Sequence, residues 1–167
     1  MFKQIKANKI GDNIFDLIGK EWMLVTAGDK EGFNTMTASW GFGGILWNKP
    51  YAACFIRPQR YTREFIDNSE YYTLSFYGVG NPIHKICGSK SGRDVDKVKK
   101  CNLTPVFDKT GAVYFEEARL VLICRKTYVT TLKEDGFIDK TLIPKNYKLG
   151  DFHKVYFGEI VKVLEKK

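Results

Sequence analysis

Arg57, Arg60 and Thr62 stand close together, directly after the apolar run YAACFI and at the start of a segment with helical spacing. Arginine suits a phosphate because its planar guanidinium presents parallel donors in a rigid fork. A threonine in the first turn of a helix adds a hydroxyl to backbone N–H groups that have no partner inside the helix. A short way upstream, Met36, Thr37, Ala38, Ser39 and Trp40 combine small side chains, two hydroxyls and an indole. A flat heteroaromatic ring needs hydrogen bonds along its polar edge and an apolar wall, and such a strand can offer both. The two groups together suit a flat aromatic ligand that carries a phosphate. Plainer readings stand beside this one. The Thr37–Trp40 run also fits a half-buried strand whose hydroxyls face water. Arg57 and Arg60 also fit surface pairs with Glu64 or Asp67, and Arg60 and Glu64 stand at i,i+4, where such pairs form.

A second anion-binding candidate is the stretch GSKSGRDVDK, residues 88–97. It sets Ser89, Lys90, Ser91 and Arg93 in a glycine-containing loop ahead of a helix and closes on Lys97. It lacks the GxxxxGK[ST] spacing of a P-loop. No GxGxxG occurs either, which argues against a Rossmann nucleotide domain. The run DVDKVKK at 94–100 interleaves acids and apolar residues, so its plain reading is a solvated helix face and its sharper one a nucleic-acid patch. Of the two histidines, His153 begins a strand-like run, a place where histidine is more often structural than catalytic. His84 lies on an expected helix and carries no evident role.

The whole chain bounds these readings. Its 167 residues, 44% of them hydrophobic and 14% aromatic, suit one packed domain over 1–167. No apolar run approaches the ~20 residues of a membrane helix. The N-terminus lacks the continuous apolar stretch of a signal peptide. Cys54, Cys87, Cys101 and Cys124 form no CxxC pair, and with only two histidines no structural zinc site is expected. Cys54 and Cys124 lie in apolar runs and read as inert core. Reduced thiols in a cytoplasm are the default expectation. Twenty-seven Lys and Arg against 19 Asp and Glu leave a net charge of +8. That charge admits nucleic acid or an anionic small ligand, and the lysines are spread over the whole chain.

The elements that must hold these residues are mostly strands. Residues 12–20 read as a short helix capped by Asp12 or Asn13. Residues 22–27 and 33–40 read as two strands of a hairpin around the turn GDKEG. A glycine-rich turn is expected after Trp40, then a strand over 51–56 stopped by Pro58. Residues 61–68 have helical spacing, and 71–77 read as a strand. Asn81 and Pro82 open a further helix, and Asp94 starts another. The long β-branched runs 118–132 and 152–164 complete a chain of strands with few, short helices. That pattern favours an antiparallel barrel, closed or partly closed, over a doubly wound sheet.

Five motifs occur in order: MTASWG at 36–41, WxxP at 47–50, RPxRYT at 57–62, CGxxSGRDVDK at 87–97 and FHxxYxGEI at 152–160. The chain from 22 to 160 thereby resembles the flavin reductase-like, FMN-binding split-barrel family, in particular its flavoredoxin-type branch. The resemblance implies a mainly β Greek-key split barrel with short helices, a homodimer, and FMN near the dimer interface. It implies that Met36, Thr37, Ala38, Ser39 and Trp40 meet the flavin ring, and that Arg57, Gln59, Arg60, Tyr61 and Thr62 meet its phosphate and ribityl chain. Ser89, Lys90, Ser91 and Lys97 are secondary candidates for the phosphate or a second substrate. His153 matches a recurrent histidine near the site and is a weak catalytic candidate; no general base is required. The implied activity is NAD(P)H-dependent reduction of flavin, with electrons passed to free flavin, a ferric complex or a protein acceptor. The alternatives are a flavoredoxin-like electron carrier that does not use NAD(P)H, and, from another class, a basic nucleic-acid-binding barrel.

Overall fold

A computed structural model describes residues 1–166. In chain order the elements are β1 (Phe2–Ile5), α1 (Ile14–Asp16), β2 (Met23–Asp29), β3 (Gly32–Ala38), β4 (Gly41–Leu46), β5 (Lys49–Ile56), α2 (Thr62–Asn68), β6 (Tyr71–Phe76), α3 (Ile83–Ser89) and α4 (Lys97–Lys100). They continue with β7 (Pro105–Phe107), β8 (Val113–Phe115), β9 (Leu120–Thr131), α5 (Leu142–Asn146) and β10 (Lys154–Lys166). Eight strands form one antiparallel sheet, in the order β3-β2-β6-β9-β10-β5-β4 with β1 added beside β10, and β7 and β8 pair separately. This is the mainly β architecture with short helices that the sequence predicts.

The topology forces the sheet to curl. β3 and β4 are its two opposite edges, yet only Ser39 and Trp40 lie between them. Seven strands laid flat at ~4.8 Å spacing would hold those edges roughly 29 Å apart. The link from Ala38 to Gly41 spans at most about 11 Å. The edges must therefore come round to face each other, and the Ser39–Trp40 link sits on the seam of the resulting split barrel. Inside, Met23, Val25, Ile56, Tyr72, Phe76, Cys124 and Tyr156 are fully or almost fully buried.

Several expectations need correction. The glycine-rich stretch after Trp40 is no turn but strand β4. Its glycines answer close packing: a Cβ on Gly41 would stand 2.7 Å from the Ala53 carbonyl oxygen, and one on Gly43 2.8 Å from Ile14 Cδ1. The turn lies later, at Trp47 and Asn48, both in the left-handed region (φ 48° and 59°), as a two-residue hairpin between antiparallel strands requires. The strand expected over 33–40 ends at Ala38. Asn13, not Asp12, caps α1, accepting from the N–H groups of Phe15 and Asp16. Asp12 instead joins Glu21 in gripping Arg119, which ties the N-terminal segment to the start of β9. α4 is capped by Asp96, not Asp94. Cys54 and Cys124 are fully buried core residues, as expected.

Gly158 marks a tightly packed point of the barrel. β10 shifts register against β9 between Phe157 and Gly158, and a Cβ there would meet Tyr72 Oη at 2.6 Å and Cys124 Cβ at 2.7 Å. Tyr72 donates to the carbonyls of Ala52 and Tyr156, so it cannot move without loss. Gly158→Ala is expected to destabilise the fold by about 1–3 kcal/mol, the usual cost of overpacking a dense core. Chemical denaturation measures it; an unchanged midpoint would contradict this packing.

Candidate functional site

Two adjoining clefts lie beside the seam. One, of about 260 Å³, is lined by Met36, Thr37, Ala38, Ser39, Trp40, Phe55, Arg57, Arg60 and His153. The other, of about 200 Å³, is lined by Met36, Gln59, Arg60, Tyr61, Thr62, Ser89, Lys90, Ser91, Gly92 and Lys97. Met36 and Arg60 belong to both. The fold thus gathers every candidate residue from four distant stretches of chain: β3 and the seam, the β5–α2 connection, the loop between α3 and α4, and the approach to β10.

The first cleft is the aromatic one. Trp40 packs on His153 with ring centroids 5.0 Å apart, and Phe55 meets the same imidazole edge-on at 6.1 Å. Thr37 projects its hydroxyl from β3 and holds it beside α3: Oγ1 lies 3.1 Å from His84 Nδ1 and can donate to the His84 carbonyl at 3.3 Å. His84 is therefore a support of the Thr37 hydroxyl, a part that sequence reading did not assign to it. Phe55 was also missed. The available signal was its phase: along β5 it is the half-buried residue within an otherwise buried run.

His153 is buried, and its Nδ1 lies 2.9 Å from the Tyr147 hydroxyl. Burial pulls its pKa down to about 4, with the Arg57 cation acting in the same direction. It stays neutral at neutral pH, as a wall beneath Trp40 and a partner for Tyr147.

The second cleft is cationic. Arg60 donates to the Gly88 carbonyl at 2.8 Å and the Cys87 carbonyl at 3.2 Å, and burial lowers its pKa. Lys97 is 5% exposed and donates to the Thr35 carbonyl at 2.7 Å and the Cys87 carbonyl at 3.3 Å. Among the described residues neither pairs with a carboxylate. Burial brings the Lys97 amine down to about 8, a shift that Arg60 increases and Cys87 opposes. A buried and a half-buried cation faced only by carbonyl dipoles leave a site short of negative charge. Lys97 has three N–H donors, and the two carbonyls occupy two of them. The reading of 94–100 as a solvated helix face thus fails at Lys97, which points inward.

Other candidates are engaged elsewhere. Arg57 binds Asp151 at 2.5 Å and the Asn146 carbonyl at 2.8 Å, so it joins the 146–151 segment to the cleft instead of standing free. Glu64 is paired with Arg93, which stacks on Tyr61, so the Arg60–Glu64 surface pair is not formed. Gln59 reaches the same Asp151. Thr62 is fully buried, and its Oγ1 accepts from Asn34 Nδ2 at 2.8 Å while keeping its own proton to donate. Gly92 closes the loop against this pair, where a Cβ would overlap the Asn34 amide. Ser89 donates back to the Lys85 carbonyl within α3, Ser91 accepts from Arg93 N–H within the loop, and Lys90 is exposed. Among the described residues no cluster of three or more His, Cys, Asp or Glu could hold a metal ion. Among the described residues no helix is long and apolar enough to cross a membrane.

Comparison with known proteins agrees with this fold. The family described as "Flavin reductase like domain" matches residues 15–167. Among solved structures, an FMN-binding protein from Thermus thermophilus with bound p-hydroxybenzaldehyde is similar at a TM-score of 0.70 and 22% identity, over 99% of this chain and 82% of that one. A flavoredoxin from Methanosarcina acetivorans superposes at 0.65 with 22% identity, over 98% and 77%. An NADH:FAD oxidoreductase from Streptomyces globisporus superposes at 0.64 with 17% identity, over 88% and 75%. Among curated proteins, none matches the sequence.

The burial of His153 makes a prediction about acid stability. In the unfolded chain this imidazole titrates near 6.5, and in the fold near 4. Between these values the unfolded state binds more protons, so its contribution to stability is complete above 6.5 and is lost as pH falls toward 4. His153→Asn keeps a polar group toward Tyr147 without an ionisable ring. Thermal unfolding followed across that window is expected to show a shallower decline for the variant; identical slopes would show that His153 is not neutral in the fold.

Proposed function

Because the chain belongs to the flavin reductase-like family, we propose that it binds FMN in these clefts and acts as a flavin-dependent oxidoreductase that takes electrons from NAD(P)H and passes them to an acceptor. The observation that carries this reading is the pairing of an aromatic cleft with a buried cation site that shares Arg60 and Met36 with it. The distance in sequence between the ring residues and the phosphate residues disappears in the fold, and a ring joined to a phosphate by a short chain fits that spacing. No second pocket for an adenosine half is needed.

Arg60 and Lys97 bind the phosphate, Arg60 with a guanidinium already oriented by Cys87 and Gly88. Thr62 and the loop 88–92 close the same cleft. The Thr37 hydroxyl, steadied by His84, orients the polar edge of the ring. Trp40 and Phe55 keep water from its face, and the neutral His153 supports Trp40 without adding charge. FMN, when bound, supplies the hydride and electron chemistry. The basic surroundings favour the negative charge that reduction brings to the site. No side chain here is required as a general base.

The homodimer also belongs to this proposal. β4 is an edge strand; Phe42 and Ile45 on it are 65% and 76% exposed, and Trp47 in the turn after it is 60% exposed. Such an apolar edge is commonly covered by a second copy. Light scattering is expected to report twice the mass of one chain; the mass of a single chain would remove the dimer.

Lys97→Met tests the phosphate site. It is expected to weaken FMN binding by about 1.5–3 kcal/mol, roughly tenfold to a hundredfold, and riboflavin binding far less. Arg60→Ala should act in the same direction. The charged amine holds the phosphate, and Lys97 loses its proton near pH 8, so wild-type FMN affinity should fall as pH rises through 8. Riboflavin affinity and the Lys97→Met variant should not follow that curve. Equal losses for both flavins would indicate a disrupted site with no phosphate contact.

The electron donor is tested anaerobically. Bleaching of the flavin absorbance by NADH or NADPH supports the reductase. A flavin that bleaches only with dithionite, or with a reduced protein partner, would assign the electron-carrier role instead.

A further inference from the structure

The thiols of Cys87 and Cys101 sit together beside the cation site and take no part in the function proposed above. Their sulfurs are 3.9 Å apart. Cys87 is fully buried in the last turn of α3, and Cys101 is half-buried directly after α4. Neither is tied by a disulfide. The Cys87 carbonyl is the one group that accepts from both Arg60 and Lys97. Lys97 lies on the short helix that ends at Cys101, and Cys101 N–H donates to the Lys97 carbonyl at 3.0 Å. The thiol pair and the cation pair therefore share one small piece of backbone.

We infer that Cys87 and Cys101 form an oxidisable pair that closes to a disulfide and, in closing, weakens the anion site held by Arg60 and Lys97. A disulfide needs its sulfurs at about 2.05 Å, well inside their present separation, so closure turns both side chains and pulls on the ends of α3 and α4. That movement carries the Cys87 carbonyl and Lys97 away from the positions that orient both cations. The oxidant class is a peroxide. Cys101, the more accessible of the two, attacks the O–O bond as its thiolate; an S–O bond forms, and the leaving hydroxide takes up the released proton as water. Cys87 sulfur then attacks the Cys101 sulfenic acid. The S–S bond forms, the S–O bond breaks, and the departing hydroxide takes the Cys87 proton as a second water. Two thiols have lost two electrons and two protons, and one peroxide has become two waters. Burial raises the Cys87 thiol pKa, which keeps it protonated until that second step.

The coupling rests on the phosphate reading above, so the test has separate arms. Purified protein is treated with hydrogen peroxide, alkylated and mapped by mass spectrometry, which needs no flavin. The expected result is a Cys87–Cys101 link, with Cys54 and Cys124 still free. FMN and riboflavin are then titrated into the reduced and oxidised forms. Oxidation is expected to lower FMN affinity roughly tenfold, the loss of one charge-assisted contact, with little change for riboflavin, and dithiothreitol should restore it. Cys101→Ser should bind FMN like reduced wild type and ignore peroxide. Absence of the link overturns the pair. A link that leaves FMN affinity unchanged overturns the coupling. Reduced protein that fails to bind FMN overturns the phosphate reading and the coupling with it, while the thiol map still decides the pair.

Discussion

Two residues, Ser39 and Trp40, must bridge the opposite edges of an eight-stranded sheet, and this constraint shapes the rest of the molecule. A link so short cannot cross a flat sheet, so the sheet curls until its edges meet. The consequence is local as well as global. The seam is where backbone pairing stops, so it leaves a cleft, and the residues that make the link line it. The indole of Trp40 stands in the opening because the chain has no slack to place it elsewhere. Close glycine contacts at Gly41, Gly43 and Gly158 serve the same closure, since each lets a strand approach a neighbour more nearly than a side chain would allow.

The second cleft is organised by charge. A buried lysine or arginine without a carboxylate is costly, and carbonyl dipoles offset only part of that cost. Lys97 and Arg60 share the Cys87 carbonyl, and burial, with the Arg60 cation beside it, lowers the pKa of the lysine. A ligand anion would complete the set. Acidic partners take up other cations: Asp151 holds Arg57 at the wall of the first cleft, Glu64 holds Arg93, and Glu21 with Asp12 holds Arg119. The sorting of cations into paired and unpaired ones separates scaffold from anion site.

The same economy places both histidines in supporting positions. His153 underlies Trp40 and meets Tyr147, and His84 steadies Thr37. Both have lowered pKa values because of burial, so neither adds charge to the ring cleft at neutral pH. Ring chemistry then depends on shape, on one hydroxyl and on the cations nearby.

The sequence by itself determined the class of the fold. Short β-branched runs, few helices and five motifs in order pointed to a split barrel, and Met36 to Trp40, Arg57 to Thr62 and Ser89 to Lys97 do meet around adjoining clefts. Strand identity is legible because alternation and β-branching are local properties. What each polar group binds is not local, and only the tertiary structure decided it. Arg57 and Arg60 look alike in sequence, but Asp151, ninety-four residues away, claims the first and leaves the second facing the cleft. Lys97 reads as one of several lysines on a polar helix until β3 and α3 bury it. The glycines after Trp40 read as a turn because glycine is the residue of turns. Their reason is instead the close approach of Ala53 and Ile14, which no window of sequence contains.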